Sequence, residues 1–411
     1  MTFNDSRLGS LLELVRRKGL RYGTNTVVRS LVRKYLSVPI GVLPEFERVL
    51  NEECPARLTT SKSQTLRINW ILNGLAAAHG GLLNAFRTIQ QLEAWGHENR
   101  VYVARLPGGA TLAKERIRKW YFPIKAEVEI LSDNIKDSDA LIATSWPTAY
   151  AARSIGNTVQ KFYFVQDIEY MFYAPGSEYE FARQTYEFGF QGITLGTWIA
   201  DVLRREFGME CTAFGFSYDR DYYASTGRRL LPAGKKRVLF YARPETERRG
   251  FELGILALSL VIKKMPEAEI VLVGSPGRSL DLPFAAILPG VLPISDLGAL
   301  YRSCDVALVL SHTNLSMLPL ELMACGCAVV SNEGANVEWL LTNETVRLAK
   351  PDPQSLADAI LELLQSDDLR LQKIEAGLAF AQSTNWTKEI RVIESALLAK
   401  QEDLQRLASQ G

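Results

Sequence analysis

Three arginines, Arg243, Arg248 and Arg249, fall within FYARPETERRGFELGI (residues 240–255), between an apolar run with strand character and an apolar run with helix character. Clustered guanidinium groups suit a phosphorylated ligand, because each charge-assisted contact to a phosphate oxygen contributes about 1.5–3 kcal/mol. They also stabilise negative charge that grows on a departing group. The same spacing admits a plainer reading, a surface turn whose arginines pair with Glu245, Glu247 and Glu252. A second candidate is Glu321, in LSHTNLSMLPLELMACGCAVVSNEG (310–334), where it begins a helix that continues into small residues. A carboxylate there accepts hydrogen bonds from adjacent sugar hydroxyls, while free N–H groups of the loop and helix start face phosphate. Standing alone, it would do no more than complement the helix dipole.

Metal chemistry finds little support. Asp137-Ser138-Asp139 has the DxD form, but it precedes the strand ALIAT (140–144) and so belongs to the amino edge of its sheet. Ligands gather at the opposite edge. The histidines are His79, His97 and His312, and no HExxH occurs. The five cysteines, Cys54, Cys211, Cys304, Cys325 and Cys327, form no CxxC pair, so neither a disulfide framework nor a zinc site is expected. Neither a metal nor a cofactor is expected.

These residues need a frame. At 411 residues the chain exceeds what one core usually organises, and two domains of about 150–200 residues are expected. Hydrophobic content of 47% with 23% charge is ordinary for a soluble globular protein, and a net charge of +1 argues against a nucleic-acid partner. No stretch runs 18 apolar residues and the N-terminus lacks an unbroken apolar segment, so membrane spanning and secretion are not expected. A cytoplasmic location fits the cysteine usage. Residues 1–36 carry eight cations against Asp5 and Glu13, with Leu8, Leu11, Leu12 and Val15 at helical spacing. Such a basic amphipathic segment either lies on the inner membrane face or docks on the protein's own body.

From residue 66 onward the chain alternates β-rich runs with amphipathic helices: LRINWIL, then GLLNAFRTIQQLEAWGH, then NRVYVARL, followed by ALIAT and KFYFVQD. The stretch YYASTGRRLLPAGKK (222–236) reads as a linker. Beyond it the alternation restarts with RVLFYAR, FELGILALSLVIKKM, EIVLVG, LGALYRSC, DVALVLS, LPLELMACG, CAVVSNE and PQSLADAILELLQ. The predicted fold is therefore α/β, two doubly wound, Rossmann-like domains facing across a cleft. The predicted divisions are a basic helical extension (1–60), a first domain (61–221), the linker, a second domain (237–385) and a C-terminal helix (386–411) packing back on the first domain.

The order of Arg243, Arg249-Gly250 and Glu321 before LMACGCAVV, together with HGGLLNAFRTIQQLEAWGHE, resembles the retaining, family-four glycosyltransferases of GT-B architecture. YFVQDIEYMFYAPGSEYEFARQTYEF and YARPETERRGFELG are similar, more narrowly, to the WsaF-like rhamnosyltransferases that build S-layer and O-antigen glycans. The resemblance covers about residues 65–390. It implies that Arg243 and Arg249 bind the donor diphosphate and that Glu321 holds the ribose hydroxyls. Val291 would meet the nucleobase, with Ser316, Met317 and Leu318 completing the donor site. It places His79, Gly80 and Gly81 in the glycine loop that meets donor phosphate or acceptor.

Two positions depart from the family pattern. Thr313 stands where many relatives have a glutamate eight positions before Glu321, and Gln166 stands where a histidine often precedes an aspartate. Asp167 then becomes the candidate for orienting the acceptor or easing its proton away, against the plainer role of capping the next turn. The implied reaction is retaining transfer of L-rhamnose from dTDP-L-rhamnose to a glycan or lipid-linked oligosaccharide. It relies on positioning and charge stabilisation more than on a nucleophile. Alternatives are a sugar-nucleotide epimerase and a catalytically degenerate glycan-binding or scaffold subunit. An NAD-dependent oxidoreductase is weakened by the absence of GxGxxG after either first strand.

Overall fold

The computed structural model describes residues 47–57, 65–77, 79–105, 108–132, 134–226, 235–275 and 281–410. The basic segment 1–36 and linker residues 227–234 lie outside them. Met1–Asn51 and Glu52–Gly411 are separate compact units. Among the described residues of the first, a 3-10 turn spans Arg48–Leu50. Everything below concerns the second.

Its first half runs β1 (Arg67–Leu72), α1 (Gly80–Ala94), β2 (Glu98–Val103), α2 (Gly109–Trp120), β3 (Glu127–Ile130), β4 (Ser138–Ala143), α3 (Trp146–Arg153), β5 (Thr158–Val165), α4 (Ser177–Gln184), β6 (Gln191–Leu195), α5 (Thr197–Phe207) and β7 (Cys211–Phe214). The strands form one sheet in the order β3-β2-β1-β4-β5-β6-β7, every pairing parallel. The second half runs β8 (Arg237–Tyr241), α6 (Phe251–Lys264), β9 (Glu269–Val273), β10 (Ile287–Gly290), α7 (Ile294–Arg302), β11 (Val306–Val309), α8 (Leu318–Ala324), β12 (Ala328–Asn332), α9 (Ala335–Glu338), β13 (Arg347–Ala349), α10 (Pro353–Gln365), α11 (Asp367–Ser383) and α12 (Trp386–Gln410). Its sheet order is β10-β9-β8-β11-β12-β13, again all parallel.

Parallel sheets covered on both faces need strands that are apolar throughout rather than alternating. Ile68, Trp70, Ile71 and Leu72 of β1 are fully buried, as are Val306, Ala307 and Leu308 of β11. Each of the valine, leucine and isoleucine side chains among these contributes about 1.5–3 kcal/mol through burial. The strand order reverses between β1 and β4 in the first sheet and between β8 and β11 in the second. At such a switch point the loops leaving neighbouring strands diverge and open a crevice at the carboxyl edge. Those four strands therefore decide where a ligand can sit.

The last two helices tie the halves together. Arg220 donates to the carbonyls of Gln382 (3.0 Å) and Thr384 (2.7 Å), and Ser217 bonds Thr384 at 3.0 Å. On α12, Glu389 accepts from the Gly215 amide, and Glu394 meets His97 Nε2 at 2.9 Å. His97 Nδ1 accepts from the Leu66 amide at 3.0 Å, so Nε2 carries the proton and donates to Glu394. Tyr223, at the start of the stretch read as a linker, is buried and stacks on Tyr301 with centroids 5.8 Å apart. That end of the connection is packed core, not a loose tether.

Candidate active site

The arginine turn follows β8 directly. A 3-10 turn, Glu247–Arg249, leads to Gly250, whose φ of +59° turns the chain into α6. A Cβ there would meet His312 Nε2 at 3.1 Å and Leu310 Cδ1 at 3.2 Å, so glycine allows the turn to press against the loop leaving β11. Arg249 donates from Nη1 to Ser311 Oγ (2.6 Å) and to the Asn314 carbonyl (3.0 Å) of that loop. Arg243 lies over the Tyr241 ring, 5.1 Å from its centroid.

Arg248 reaches across to the first half. Its Nε is 3.6 Å from Asp167 Oδ2, and its guanidinium lies 4.1 Å from the Phe172 ring centroid. Glu245, Glu247 and Glu252 are exposed, and among the described residues no salt bridge joins them to the three arginines. The turn's charge is directed inward. Burial lowers the Arg249 pKa to about 10 and lowers that of Arg248; Asp167 opposes the shift in both, and repulsion from the neighbouring arginines adds to it. At that value Arg249 remains cationic near neutral pH.

Asp167 follows β5 and joins the halves. Its Oδ1 accepts from the Ile168 and Asn314 amides, both at 2.9 Å, and Oδ2 accepts from the Thr313 hydroxyl at 2.9 Å. The carboxylate therefore caps its own turn, the plainer of the two sequence readings, and also clamps the opposite loop. Burial raises its pKa, while Arg249 and the Asn314 amide draw it back. Thr313, where the sequence resemblance leads to the expectation of a glutamate, supplies a donor to this clamp.

Gln166 fixes the glycine loop. Its Nε2 donates to the Gly81 carbonyl (2.9 Å) and its Oε1 accepts from Asn84 Nδ2 (2.9 Å). His79 caps α1, its Nδ1 accepting from the Leu82 amide at 3.3 Å. Burial and then the charges of Arg248 and Arg243 lower the His79 pKa, which places the arginine turn opposite the amino end of α1. A methyl added at Gly80 would meet no atom within 4 Å.

Asn314 is the residue that sequence reasoning missed. Fully buried, it donates from Nδ2 to the Leu195 (2.8 Å) and Gln166 (3.1 Å) carbonyls, accepts from Trp339 Nε1 (2.9 Å), and holds Arg249 through its own carbonyl. Asparagine in a loop carries no signal for such a role, because its partners lie in four separate segments.

Glu321 belongs to a neighbouring cluster. Burial pushes its pKa up to about 7, with the Tyr223 hydroxyl lowering it, Asp219 raising it and Arg87 lowering it. Arg87, on α1, pairs with Asp219 at 3.2 Å and is sandwiched between Phe122 and Trp386 at 4.7 and 4.9 Å. Ser316, Met317 and Leu318 lie half-buried at the start of α8, and Val291 is exposed just beyond β10. The DxD stretch is structural at Asp139, whose carboxylate accepts from Arg67 N (2.8 Å), Nε (3.1 Å) and Nη2 (2.8 Å) at the amino edge.

Profiles described as the C-terminal and N-terminal domains of WsaF match residues 236–361 and 125–196. The O-antigen biosynthesis protein RfbC of Myxococcus xanthus is 34% identical over 265 residues, 63% of this chain and 21% of RfbC. A phosphatidyl-myo-inositol mannosyltransferase of Mycobacterium tuberculosis is 28% identical over 208 residues, 46% of this chain and 55% of that protein. The chain thus spans about a fifth of the first relative and about half of the second. The crystal structure of Anabaena HepE in complex with UDP and glucose shares the fold, with a TM-score of 0.61 at 15% identity over 81% of this chain and 99% of that one. With both WsaF domain profiles matched in order, on two parallel sheets whose carboxyl edges meet at an arginine turn, the chain is WsaF-like across residues 125–196 and 236–361 and has the two-sheet GT-B fold of HepE.

Proposed function

We propose that the protein transfers a sugar from a nucleoside-diphosphate donor to a growing surface-glycan acceptor. The observation that carries this is a charge imbalance at the carboxyl edges of the two sheets: among the described residues the three guanidinium groups of the turn after β8 meet one carboxylate, Asp167 after β5. An anion of about two negative charges restores the balance, and a diphosphate has that charge and reach. RfbC is described as an O-antigen biosynthesis protein and HepE was crystallised with UDP and glucose, which supports a nucleotide-sugar donor and a polysaccharide product.

In this reading the diphosphate lies among Arg243, Arg248 and Arg249. As the sugar–oxygen bond lengthens, charge accumulates on the phosphate oxygen and the fixed guanidinium groups stabilise it without reorganising. The acceptor hydroxyl enters on the same face, giving retention, on the side of His79, Gly80 and Gly81. Open space beside Gly80 leaves room for backbone to approach a ligand. Asp167 lies where it can orient that hydroxyl. Glu321 receives the ribose hydroxyls, and Val291 with Ser316, Met317 and Leu318 lies toward the nucleoside and phosphates. Like the enzymes its motifs resemble, the protein takes L-rhamnose from dTDP-L-rhamnose.

A thermal-shift panel of thymidine, uridine and guanosine diphosphates tests this. A ligand at a hundred times its Kd stabilises the fold by about 2.7 kcal/mol, readily visible as a melting shift. The largest shift is expected with the thymidine nucleotide. A larger shift with uridine or guanosine diphosphate would remove the rhamnosyl assignment, and no shift with any of them would remove the donor site.

A further inference from the structure

The placement of Asp167 has an energetic consequence for any diphosphate bound by the arginine turn. Arg248 is held on the first half by two contacts, the Asp167 carboxylate at 3.6 Å and the Phe172 ring at 4.1 Å. Neither satisfies its Nε, which is buried without a hydrogen-bond partner. Such a buried, unpartnered donor gains a hydrogen bond if Arg248 swings out to a phosphate oxygen. Asp167, by contrast, does not depend on Arg248. Two backbone amides and the Thr313 hydroxyl already solvate its carboxylate. Withdrawing Arg248 would leave the carboxylate its three donors and the larger opposing charge of Arg249, which limits the cost of exchanging partners. The Phe172 contact is anchored separately: Glu169, three residues earlier, accepts from the Trp146 amide (3.0 Å) and the Tyr163 hydroxyl (3.1 Å).

We propose that Asp167 competes with the donor diphosphate for Arg248 and so sets donor affinity, the carboxylate and the phosphate being alternative partners of one guanidinium. This rests on the diphosphate reading of the arginine turn. Two anions cannot both lie against Arg248 without repelling each other in a poorly solvated crevice. Donor binding therefore moves Arg248 away from Asp167 and loosens one of the contacts that join the halves. It also leaves the Asp167 carboxylate less neutralised, hence a better partner for an incoming hydroxyl.

The test is calorimetric titration of inorganic pyrophosphate and of UDP into the full chain. Asp167→Asn keeps an oxygen for the Ile168 and Asn314 amides and an amide to donate to Thr313, while removing the charge. It is expected to bind both probes roughly tenfold more tightly. The gain should shrink in an Arg248→Gln background, because the contested cation is gone. Phe172→Ala, at a position more than a third exposed, loosens the other hold on Arg248 and should tighten binding about twofold, in the same direction. A purely structural Asp167 predicts the opposite sign, weaker binding with a lowered melting temperature. Unchanged or weaker affinity in Asp167→Asn, or an equal gain with and without Arg248, would overturn the competition. If Asp167→Asn does not fold, Phe172→Ala decides alone, and unchanged or weaker binding there counts against it. Failure of the unmodified protein to bind either probe would instead remove the diphosphate reading beneath it.

Discussion

Arg249→Ala is expected to lower kcat/KM at least a hundredfold while leaving the protein folded. Removing one preorganised donor to a developing oxyanion costs about 2.7–4 kcal/mol in the transition state. The structural cost is smaller here. The Asn314 carbonyl, which loses the Arg249 Nη1 donor, still accepts from Ser311 Oγ at 2.7 Å. The substitution also takes away a buried cation that Arg248 and Arg243 repel. Activity and melting temperature should therefore part company. Arg249→Lys keeps the charge but loses the guanidinium's other nitrogens, which can face a phosphate while Nη1 stays on Ser311 and Asn314, so it should recover only part of the rate. Steady-state kinetics beside thermal melts decide it, and activity within twofold of the unmodified protein would return Arg249 to a supporting role in the 311–314 loop.

Gly196→Val should separate the two halves. Gly196 follows β6 at φ +96° and ψ 154°, a region open to glycine and costly for other residues by about 1–3 kcal/mol. A Cβ there would also meet Trp339 Cε2 and Cζ2 at 2.7 Å and Cη2 at 2.8 Å. Trp339 lies in the second half, with its ring 5.7 Å from Phe216 and its indole N–H on Asn314 Oδ1. Overpacking of this kind adds about 1–3 kcal/mol, and relief requires moving Trp339 and, with it, Asn314. The expected outcome is a lowered melting point, a larger radius of gyration by small-angle scattering and loss of transfer. Trp339→Leu in the same chain should restore some of the compaction by removing the clash. Unaltered scattering and melting would show that this contact does not hold the halves together.

What could be read from the sequence follows a physical divide. Strands β1, β2, β4, β5, β8, β9, β11 and β12 are apolar runs bounded by turns, and the sequence predicts each to within a few residues. β3 has the sequence EVEI, with a single buried residue at the sheet edge, and β10 is exposed and contains a proline. β13 is three residues long, and β6 and β7 (QGITL and CTAF) are short and mixed in polarity. None of these has a period to detect. The site divides in the same way. Arg243, Arg248 and Arg249 are neighbours in sequence, so their crowding is legible. The Asp167–Thr313 bond joins residues 146 apart, and Thr313 viewed alone looks like a lost glutamate rather than a gained donor. Glu321 is legible as a carboxylate at a helix start, but its neighbours Arg87, Asp219 and Tyr223 come from the other half and the connecting segment. Short-range pattern identifies the groups that carry charge. Long-range closure decides which of them meet.

The central claim is that the crevice arginines receive a diphosphate, and the most direct measurement is a crystal structure of the protein grown with a nucleoside diphosphate. The account predicts phosphate oxygens within about 3 Å of the Arg243, Arg248 and Arg249 guanidinium groups, with Arg248 drawn off Asp167. A diphosphate bound elsewhere, with Arg248 still on Asp167 and Arg249 still on Ser311 and Asn314 alone, would contradict it.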